Sequence, residues 1–495
     1  MVRHGRLQVL QKDVVVADLG RGEVVGELGL LIHAPRSASV RAVRDSTLVQ
    51  ITKAEFDKIA DSGVLGALVR VLATRLHQTP AAPRPTSPQV VVSVVGVDAD
   101  APVPMVATEL CTALSSRLRV VSPGRVDRDG LERAELAADK VVLHAAVDDA
   151  DWRDFCLRVA DRIVLVTADP APPSEPLPAR AAGADLVLTG PPVDREHFRA
   201  WEELITPRSV HAIHSLHATA DLRPLAGRIA GRSVGLVLGG GAARAFAHLG
   251  VLDELGAAGV TVDRFAGASM GALIAAFAAT GADADVVDAQ AYEYFIRNNP
   301  LSDYTVPSKG LIRGQRSVVA LDRTFGGLLV EELPKQFRCV SVDLLARQAV
   351  LHRRGSVADV VACSLRLPGL YAPKIYNGTL HVDGAVLDNL PVAALAGQEG
   401  PVIAVSIRTG SQERRSATVE HARSPRVPNI VDTLTRTMTI GSGMATAAML
   451  DQADVAIMPD ASDIGFLEFH QIDRAREAGR IAAREALPRI LALVH

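Results

Sequence analysis

Cysteine is scarce in this sequence, which has four (Cys111, Cys156, Cys339 and Cys363) among 495 residues and no Cys-x-x-Cys pair. This pattern argues against a zinc site and against a disulfide framework, and a reducing, cytoplasmic setting is its simple interpretation. An uninterrupted apolar run of 18 or more residues is also missing, so we expect no membrane-spanning helix. The polar N-terminus lacks the apolar core of a signal peptide.

Charge of one sign is not in excess either. The net charge is −3, which gives no global electrostatic reason to expect nucleic-acid binding. Aromatic residues make up only 4%, and the abundance of Ala, Val, Arg and Gly is compatible with a GC-rich bacterial source. Hydrophobic residues reach 48% over a length that exceeds one ordinary core, so we expect several folded domains.

Composition divides the chain into four segments. Four prolines among the ten residues 79–88 cannot continue a helix and favour a stiff, extended linker. Before this linker, residues 1–78 alternate short strands with glycine turns. After it, residues 89–229 alternate strand-like and helix-like runs, and residues 230–495 carry the motifs of a catalytic domain.

Two features of the first segment have chemical content. Gly26 precedes Glu27, whose carboxylate can accept hydrogen bonds from ribose hydroxyls, and Arg36 stands beside Ser37 among small residues. An arginine fork with nearby backbone amides suits a phosphate group. A surface Glu–Arg pair on a β-roll is the alternative interpretation.

This stretch resembles the phosphate-binding cassette of cyclic-nucleotide-binding domains, with Gly26-Glu27-Leu28 followed by Pro35-Arg36-Ser37-Ala38-Ser39. The resemblance implies that Glu27 holds the ribose 2′-hydroxyl and Arg36 the cyclic phosphate, with Gly26 and Ser37 in the same pocket. It also implies cyclic AMP or cyclic GMP as a regulatory ligand. Members of that family have further strands before this region, so we expect an N-terminally incomplete β-roll, closed by a helix from about Thr52 to Leu76.

The middle segment is typical of an α/β domain. Its apolar runs predict buried parallel strands with helices between them, at residues 90–95, 141–144, 163–167 and 186–188. It has no P-loop, and it resembles the degenerate α/β region that precedes the catalytic domain in bacterial relatives of neuropathy target esterase. No carboxylate ligand motif flanks its three closely spaced histidines, so we expect no metal there; they are His211, His214 and His217.

A strand–turn–helix pattern with three consecutive glycines opens the last segment. An apolar strand leads into Gly239, Gly240 and Gly241, and Arg244 follows at the start of a helix. Glycine lets a substrate approach the peptide N–H groups, and the helix dipole favours negative charge at this end. As a dinucleotide fingerprint the loop fails, because Arg244 occupies the third glycine position, and it lacks the Lys-Ser/Thr ending of a Walker loop. An oxyanion hole needs only about two well-aimed N–H donors, which this loop can supply.

A serine on a second tight turn follows this loop. Ser269 lies between Gly267 and Gly271 in the Gly-x-Ser-x-Gly pattern of a nucleophile elbow. A serine hydroxyl needs a base. Asp383 is the strongest candidate, because it lies at a predicted strand end beside Gly384, where the serine can come close; desolvation would raise the basicity of its carboxylate. A triad with a histidine is the alternative, but none of the histidines after Asp383 lies in a glycine-flanked turn; they are His421, His470 and His495.

Residues from about 233 to 485 resemble the patatin-like phospholipases, especially the bacterial relatives of neuropathy target esterase. The resemblance rests on the glycine loop with Arg244, on the elbow around Ser269, and on Asp383-Gly384 leading to Asn389-x-Pro391. It implies a three-layer α/β/α fold, a dyad of Ser269 and Asp383 without histidine, and no cofactor for catalysis. It also implies that the oxyanion hole is formed by Gly239, Gly240, Gly241 and Arg244.

Three alanines depart from the pattern of that family. Ala242, Ala245 and Ala385 stand where its members usually carry glycine. An alanine methyl restricts positive φ, so we expect a slightly reshaped oxyanion loop.

The sequence therefore predicts a serine esterase that hydrolyses phospholipids or lysophospholipids. Its architecture is expected to be α/β, with a partial β-roll and a degenerate α/β domain before the catalytic domain. The alternative is a non-catalytic cyclic-nucleotide sensor on a decayed hydrolase scaffold. We expect a cytoplasmic protein that contacts the inner face of the membrane peripherally through its lipid substrate, with no nucleic-acid partner. The sequence indicates no oligomeric state.

Overall fold

A computed structural model gives two compact units, Met1–Ile229 and Ala230–His495. The structure describes residues 1–11, 14–26, 38–52, 54–55, 90–116, 118–190, 195–213, 222–306, 309–395, 397–407, 433, 437 and 446–494. The predicted linker 79–88 and almost all of the predicted helix from Thr52 to Leu76 lie outside these residues. No helix in the described part of the chain is both long and apolar enough to cross a membrane.

The first unit begins with small antiparallel sheets. The strands are β1 (Val2–His4), β2 (Leu7–Gln11), β3 (Val14–Leu19), β4 (Ser39–Ala42) and β5 (Thr47–Leu48). One sheet has the order β3-β2-β4, and a second pairs β1 with β5. Short strands separated by turns, as the sequence predicts for this segment, therefore occur among its described residues.

The rest of the first unit is a parallel sheet with helices between its strands. The elements are β6 (Val91–Gly96), α1 (Val103–Ser115), β7 (Val120–Val121), α2 (Arg128–Ala137), β8 (Lys140–Ala145), α3 (Ala150–Val159), β9 (Arg162–Thr167), β10 (Asp185–Leu188), α4 (Arg195–Ile205), β11 (Val210–Ala212) and α5 (Arg223–Ile229). The strand order is β11-β10-β9-β6-β8-β7, and each neighbouring pair is parallel. The predicted buried parallel strands of this segment are confirmed.

The second unit contains an eight-stranded mixed sheet among its described residues. The first half of the unit consists of β12 (Gly235–Leu238), α6 (Ala247–Ala257), β13 (Arg264–Ala268), α7 (Met270–Ala279), α8 (Ala284–Tyr292), α9 (Gln315–Phe325) and β14 (Gln336–Asp343). The second half consists of β15 (Gln348–His352), α10 (Val357–Ser364), β16 (Lys374–Tyr376), β17 (Thr379–Asp383), β18 (Val402–Val405), β19 (Val455–Ile457) and α11 (Ile472–Val494). The path of the sheet is β16-β17-β14-β13-β12-β18-β19, and β15 pairs with β14.

Both faces of the central strands are buried. On β12, Leu236 and Leu238 belong to the large apolar core that also holds α7, whereas Val237 belongs to a second core on the other face. Because successive side chains of a strand point to opposite faces, this alternation places packed layers on both sides of the sheet. The predicted α/β class is confirmed.

The sheet register brings two strand ends together. Ala268, the last residue of β13, pairs with Val340 of β14, and Asp383, the last residue of β17, pairs with the next residue, Ser341. Strand β15 occupies the other edge of β14 over these positions. Strands β13 and β17 therefore share one edge of β14 and meet end to end, although they lie more than 100 residues apart in the sequence.

Candidate active site

Ser269 occupies a sharp turn between β13 and α7. Its backbone angles are φ +55° and ψ −130°, a conformation that residues other than glycine rarely adopt. The turn is tight, since a Cβ atom at Gly271 would lie 2.1 Å from the carbonyl oxygen of Leu238. Gly267 lies in β13, just before the turn. Strain of this kind occurs at functional sites where the surrounding fold holds a side chain in place.

The Ser269 hydroxyl donates a hydrogen bond to Asp383. Its Oγ lies 2.7 Å from Oδ2 of Asp383, and the other carboxylate oxygen, Oδ1, accepts a 2.9 Å bond from the amide of Ala385. Asp383 is almost completely buried. Burial raises the pKa of this carboxyl group to about 7, against the lowering effect of the two hydrogen bonds. A carboxylate of this kind can accept a proton near neutral pH.

The glycine loop lies against the serine. A Cβ atom at Gly240 would lie 2.9 Å from Cβ of Ser269, so only glycine fits there without displacement. Two of the expected oxyanion donors are already engaged, because the amide of Gly239 donates to the Val405 carbonyl and that of Gly240 donates to both oxygens of Asn389.

Three other amides, in the glycine loop and at the start of α7, have no hydrogen-bond acceptor among the described residues. In the described part of the chain, the N–H groups of Gly241, Ala242 and Met270 have no hydrogen-bond partner. Met270 is the first residue of α7, and the first N–H groups of a helix have no acceptor within the helix.

An apolar pocket opens at the serine. It encloses about 500 Å³, including the part that is open to solvent. Aromatic and aliphatic side chains dominate its wall, which suits an acyl chain better than a polar substrate. Besides Ser269 and Asp383, its lining includes Ala242, Met270, Tyr294, Phe295, Leu301, Leu367, Leu370, Tyr371, Phe466 and Phe469.

Comparisons with known proteins agree with this geometry. Residues 236–396 match the family model of patatin-like phospholipases, and residues 1–62 match that of cyclic nucleotide-binding domains. An uncharacterised NTE family protein of Mycobacterium tuberculosis is 35% identical over 517 residues, covering 96% of this chain and 85% of that protein. The chain belongs to the NTE family. The sequence-based assignment to the patatin-like lipid ester hydrolases is thereby confirmed.

More distant relatives of this NTE family protein are considerably longer. Human patatin-like phospholipase domain-containing protein 6 is 28% identical, over 83% of this chain and 36% of that protein. Lysophospholipase NTE1 of Phaeosphaeria nodorum is 26% identical, over 81% of this chain and 34% of that protein. Among solved structures, VipD from Legionella pneumophila is similar with a TM-score of 0.30 and 15% identity, over 52% of this chain and 67% of that one.

The three unusual alanines of this NTE family protein differ in backbone conformation. Ala242 has φ +48°, within the left-handed region where glycine is favoured. Ala245 and Ala385 are not among the residues with positive φ, so a methyl group causes no backbone strain at either position. Of the three alanines, only Ala242 therefore carries backbone strain.

Ser364, which the sequence analysis missed, supports the elbow. Its buried Oγ accepts a 2.7 Å bond from the amide of Ser269 and donates a 2.7 Å bond to the carbonyl of Val340. The amide of Ser269 is therefore engaged as well. A single serine outside any motif gave no signal in the sequence.

His248 and Arg244 support the glycine loop from behind. Nε2 of His248 lies 2.7 Å from the carbonyl oxygen of Gly239 and so carries the proton, because a carbonyl only accepts. Burial lowers the pKa of His248 to about 4, so the ring stays neutral. Nε of Arg244, just after the loop, donates to the carbonyl of Ile464 and so ties the end of the loop to that segment.

The remaining predicted site residues are the histidines of the alternative triad and the residues of the expected nucleotide pocket. Among the described residues, no histidine lies within hydrogen-bond distance of Ser269 or Asp383, and His470 is exposed. Gly26 has φ +83°, whereas Glu27, Arg36 and Ser37 lie outside the described residues, as do His421 and His495. No group of three metal-binding side chains occurs in the part that the structure describes.

Proposed function

We propose that this protein hydrolyses acyl esters of phospholipids or lysophospholipids, with Ser269 as nucleophile and Asp383 as general base. The observation that carries the proposal is the 2.7 Å hydrogen bond between these side chains beside an apolar pocket. The name of the Phaeosphaeria relative, a lysophospholipase, points to the same substrate class.

In the proposed reaction, Ser269 Oγ attacks the acyl carbonyl carbon while Asp383 takes the hydroxyl proton. The negative charge on the carbonyl oxygen is stabilised by backbone N–H groups without an acceptor, namely those of Gly241, Ala242 and Met270. The proton then passes to the leaving alcohol. Water, deprotonated by Asp383, attacks the acyl-serine ester and releases the fatty acid and Ser269.

The raised pKa of Asp383 supports this role. An ordinary aspartate is too weak a base to accept a serine proton efficiently, whereas a carboxyl group with a pKa of about 7 is both ionised and basic near neutral pH. The hydrogen bonds from Ser269 and Ala385 keep the carboxylate oriented toward the nucleophile.

The experiment compares wild type with Ser269→Ala in hydrolysis of lysophosphatidylcholine and of a soluble short-chain ester. We expect wild type to hydrolyse both and Ser269→Ala to hydrolyse neither, with unchanged circular dichroism. A fluorophosphonate probe should label wild type alone. If folded wild-type protein is neither labelled nor active, the non-catalytic alternative replaces this proposal.

Two further roles are proposed with it. The match of residues 1–62 to a cyclic nucleotide-binding domain supports cyclic AMP or cyclic GMP as a regulatory ligand. A phospholipid substrate also supports peripheral, transient contact with a membrane.

A further inference from the structure

One loop beside the active-site pocket combines apolar exposure with positive charge. We call it the rim loop and define it as residues 300–306 and 309–313. Pro300 and Leu301 line the pocket, and the buried side chain of Ile312 packs with pocket residues such as Leu370. The inner side of the loop is therefore part of the pocket wall.

The outer side of the rim loop exposes large apolar side chains. Tyr304 is 74% exposed and Val306 is 81% exposed. Backbone hydrogen bonds hold this arrangement: the amide of Thr305 donates to Leu311, and that of Arg313 donates to Asp303. Both apolar side chains thus project outward from a hydrogen-bonded loop.

Positive charge accompanies these side chains. Lys309, Arg313 and Arg316, the last just after the rim loop, are all exposed. In the described part of the chain, none of the three has a carboxylate within ion-pair distance, and Arg316 contacts only the hydroxyl of Ser302 through its side chain. The acidic residue of the loop, Asp303, uses one oxygen to accept a bond from the amide of Arg316.

A second part of the pocket wall also reaches the surface. Leu467 lines the pocket together with Phe466 and is 43% exposed. An apolar surface therefore continues from the outer wall of the pocket down to Ser269. A lipid whose head remains at a membrane surface could pass its acyl chain along this surface without crossing water.

We propose that the rim loop docks this protein on an anionic phospholipid surface, with Tyr304 and Val306 inserted among the head groups. Tyrosine suits this location because its ring is apolar and its hydroxyl is polar. The unpaired cations favour a surface with net negative charge. This inference rests on the proposed function, because it takes a membrane lipid as the substrate. Binding to vesicles can nevertheless be measured without hydrolysis.

The test is co-sedimentation of the full chain with vesicles of phosphatidylcholine alone or of phosphatidylcholine and phosphatidylglycerol in equal amounts. We expect wild type to bind the anionic vesicles more tightly. Tyr304→Ser/Val306→Ser and Lys309→Glu/Arg313→Glu should each weaken that binding about tenfold or more. Ile375→Ser is the matched control, because Ile375 on β16 is equally exposed, at 74%, and does not line the pocket.

Activity provides a second readout. For the Tyr304→Ser/Val306→Ser variant, the ratio of vesicle hydrolysis to soluble-ester hydrolysis should fall about tenfold, which global misfolding would not produce because it would lower both activities. Equal binding by wild type and this variant, an equal loss in Ile375→Ser, or no preference of wild type for anionic vesicles would each overturn the proposal.

The same measurements separate this inference from the proposed function. Binding by Ser269→Ala should match that of wild type. If rim-dependent binding persists in a protein that hydrolyses no ester, the proposed function fails and the docking surface stands. If hydrolysis occurs and vesicle binding does not depend on the rim loop, the proposed function stands and the docking surface fails.

Discussion

Ala242 and Ser269 both have positive φ, at +48° and +55°, and both line the same apolar pocket. The serine conformation belongs to the nucleophile elbow, whereas the alanine occupies a position at which the resemblance to the patatin-like family leads us to expect glycine. Strained backbone thus occurs both in the glycine loop and at the nucleophile elbow, the two segments that contribute candidate N–H donors.

Replacing Ala242 with glycine should stabilise the protein. Left-handed backbone costs an alanine roughly 1 kcal/mol more than a glycine, so Ala242→Gly should raise the free energy of unfolding by about that amount. Ala245→Gly is the control: this buried alanine lies in a short 3₁₀ helix without positive φ, and its loss should lower the free energy of unfolding. Urea unfolding of the three proteins measures both effects, and a destabilised Ala242→Gly would contradict the strain argument.

Activity should depend on the ionisation of Asp383. Because burial raises the pKa of this group to about 7, kcat/KM for a soluble ester should rise with pH and level off above that value. Asp383→Asn should remove nearly all activity at every pH. A profile whose lower limb lies near the ordinary aspartate pKa would show that Asp383 is not the titrating base.

Stability should show the opposite trend with pH. The pKa of Asp383 is raised from 3.8 to about 7 on folding, so the folded state holds a proton that the unfolded state releases between these values. This contribution is complete below pH 3.8 and is lost as pH rises through about 7. The free energy of unfolding of wild type should therefore fall relative to that of Asp383→Asn across this pH window. If the two proteins give parallel curves of unfolding free energy against pH, the raised pKa of Asp383 is refuted.

Removing the Ser364 hydroxyl should misplace the nucleophile. In Ser364→Ala, the buried amide of Ser269 and the carbonyl of Val340 lose their partner, which should cost about 1–3 kcal/mol of stability. The shift of Ser269 should lower kcat by up to about 10². Ser93→Ala is a matched control, because its buried hydroxyl donates to the Cys156 carbonyl in the other unit. It should lose similar stability with unchanged kcat, and an unchanged kcat in Ser364→Ala would leave Ser364 a purely structural role.

Cyclic nucleotide binding can be tested on the full chain by calorimetry. Wild type should release or absorb heat on titration with cyclic AMP or cyclic GMP, and Arg36→Ala should abolish the signal because it removes the phosphate partner. Arg41→Ala serves as a surface control, since Arg41 is exposed and its side chain bonds only that of Gln8 in the described structure. Absence of heat in wild type would assign the domain a structural role.

The motif-bearing parts of the fold were predictable from sequence. The strand before Gly239, the elbow at Ser269 and the strand end at Asp383 are local patterns, in which glycine spacing and apolar runs determine the backbone. The α/β class follows from the same alternation. These elements account for the positions from which the catalytic pair projects.

The contacts between elements were not predictable. Ser364 bonds Ser269 across 95 residues, and Asn389 engages the amide of Gly240 across 149. Such partners depend on how elements distant in the sequence pack together, which the glycine spacing and apolar runs of one segment do not reveal. For the same reason the sequence suggested Gly239 and Gly240 as free donors, while the fold engages both with acceptors.

The shared edge of β14 has a consequence for the chain as a whole. The turn from Leu344 to Arg347, between β14 and β15, is exposed and follows the strand on which Ser269 and Asp383 converge. Cleavage at this turn would place the two halves of the dyad on separate polypeptides, each with part of the sheet. Ester hydrolysis would then report whether the two fragments had reassociated.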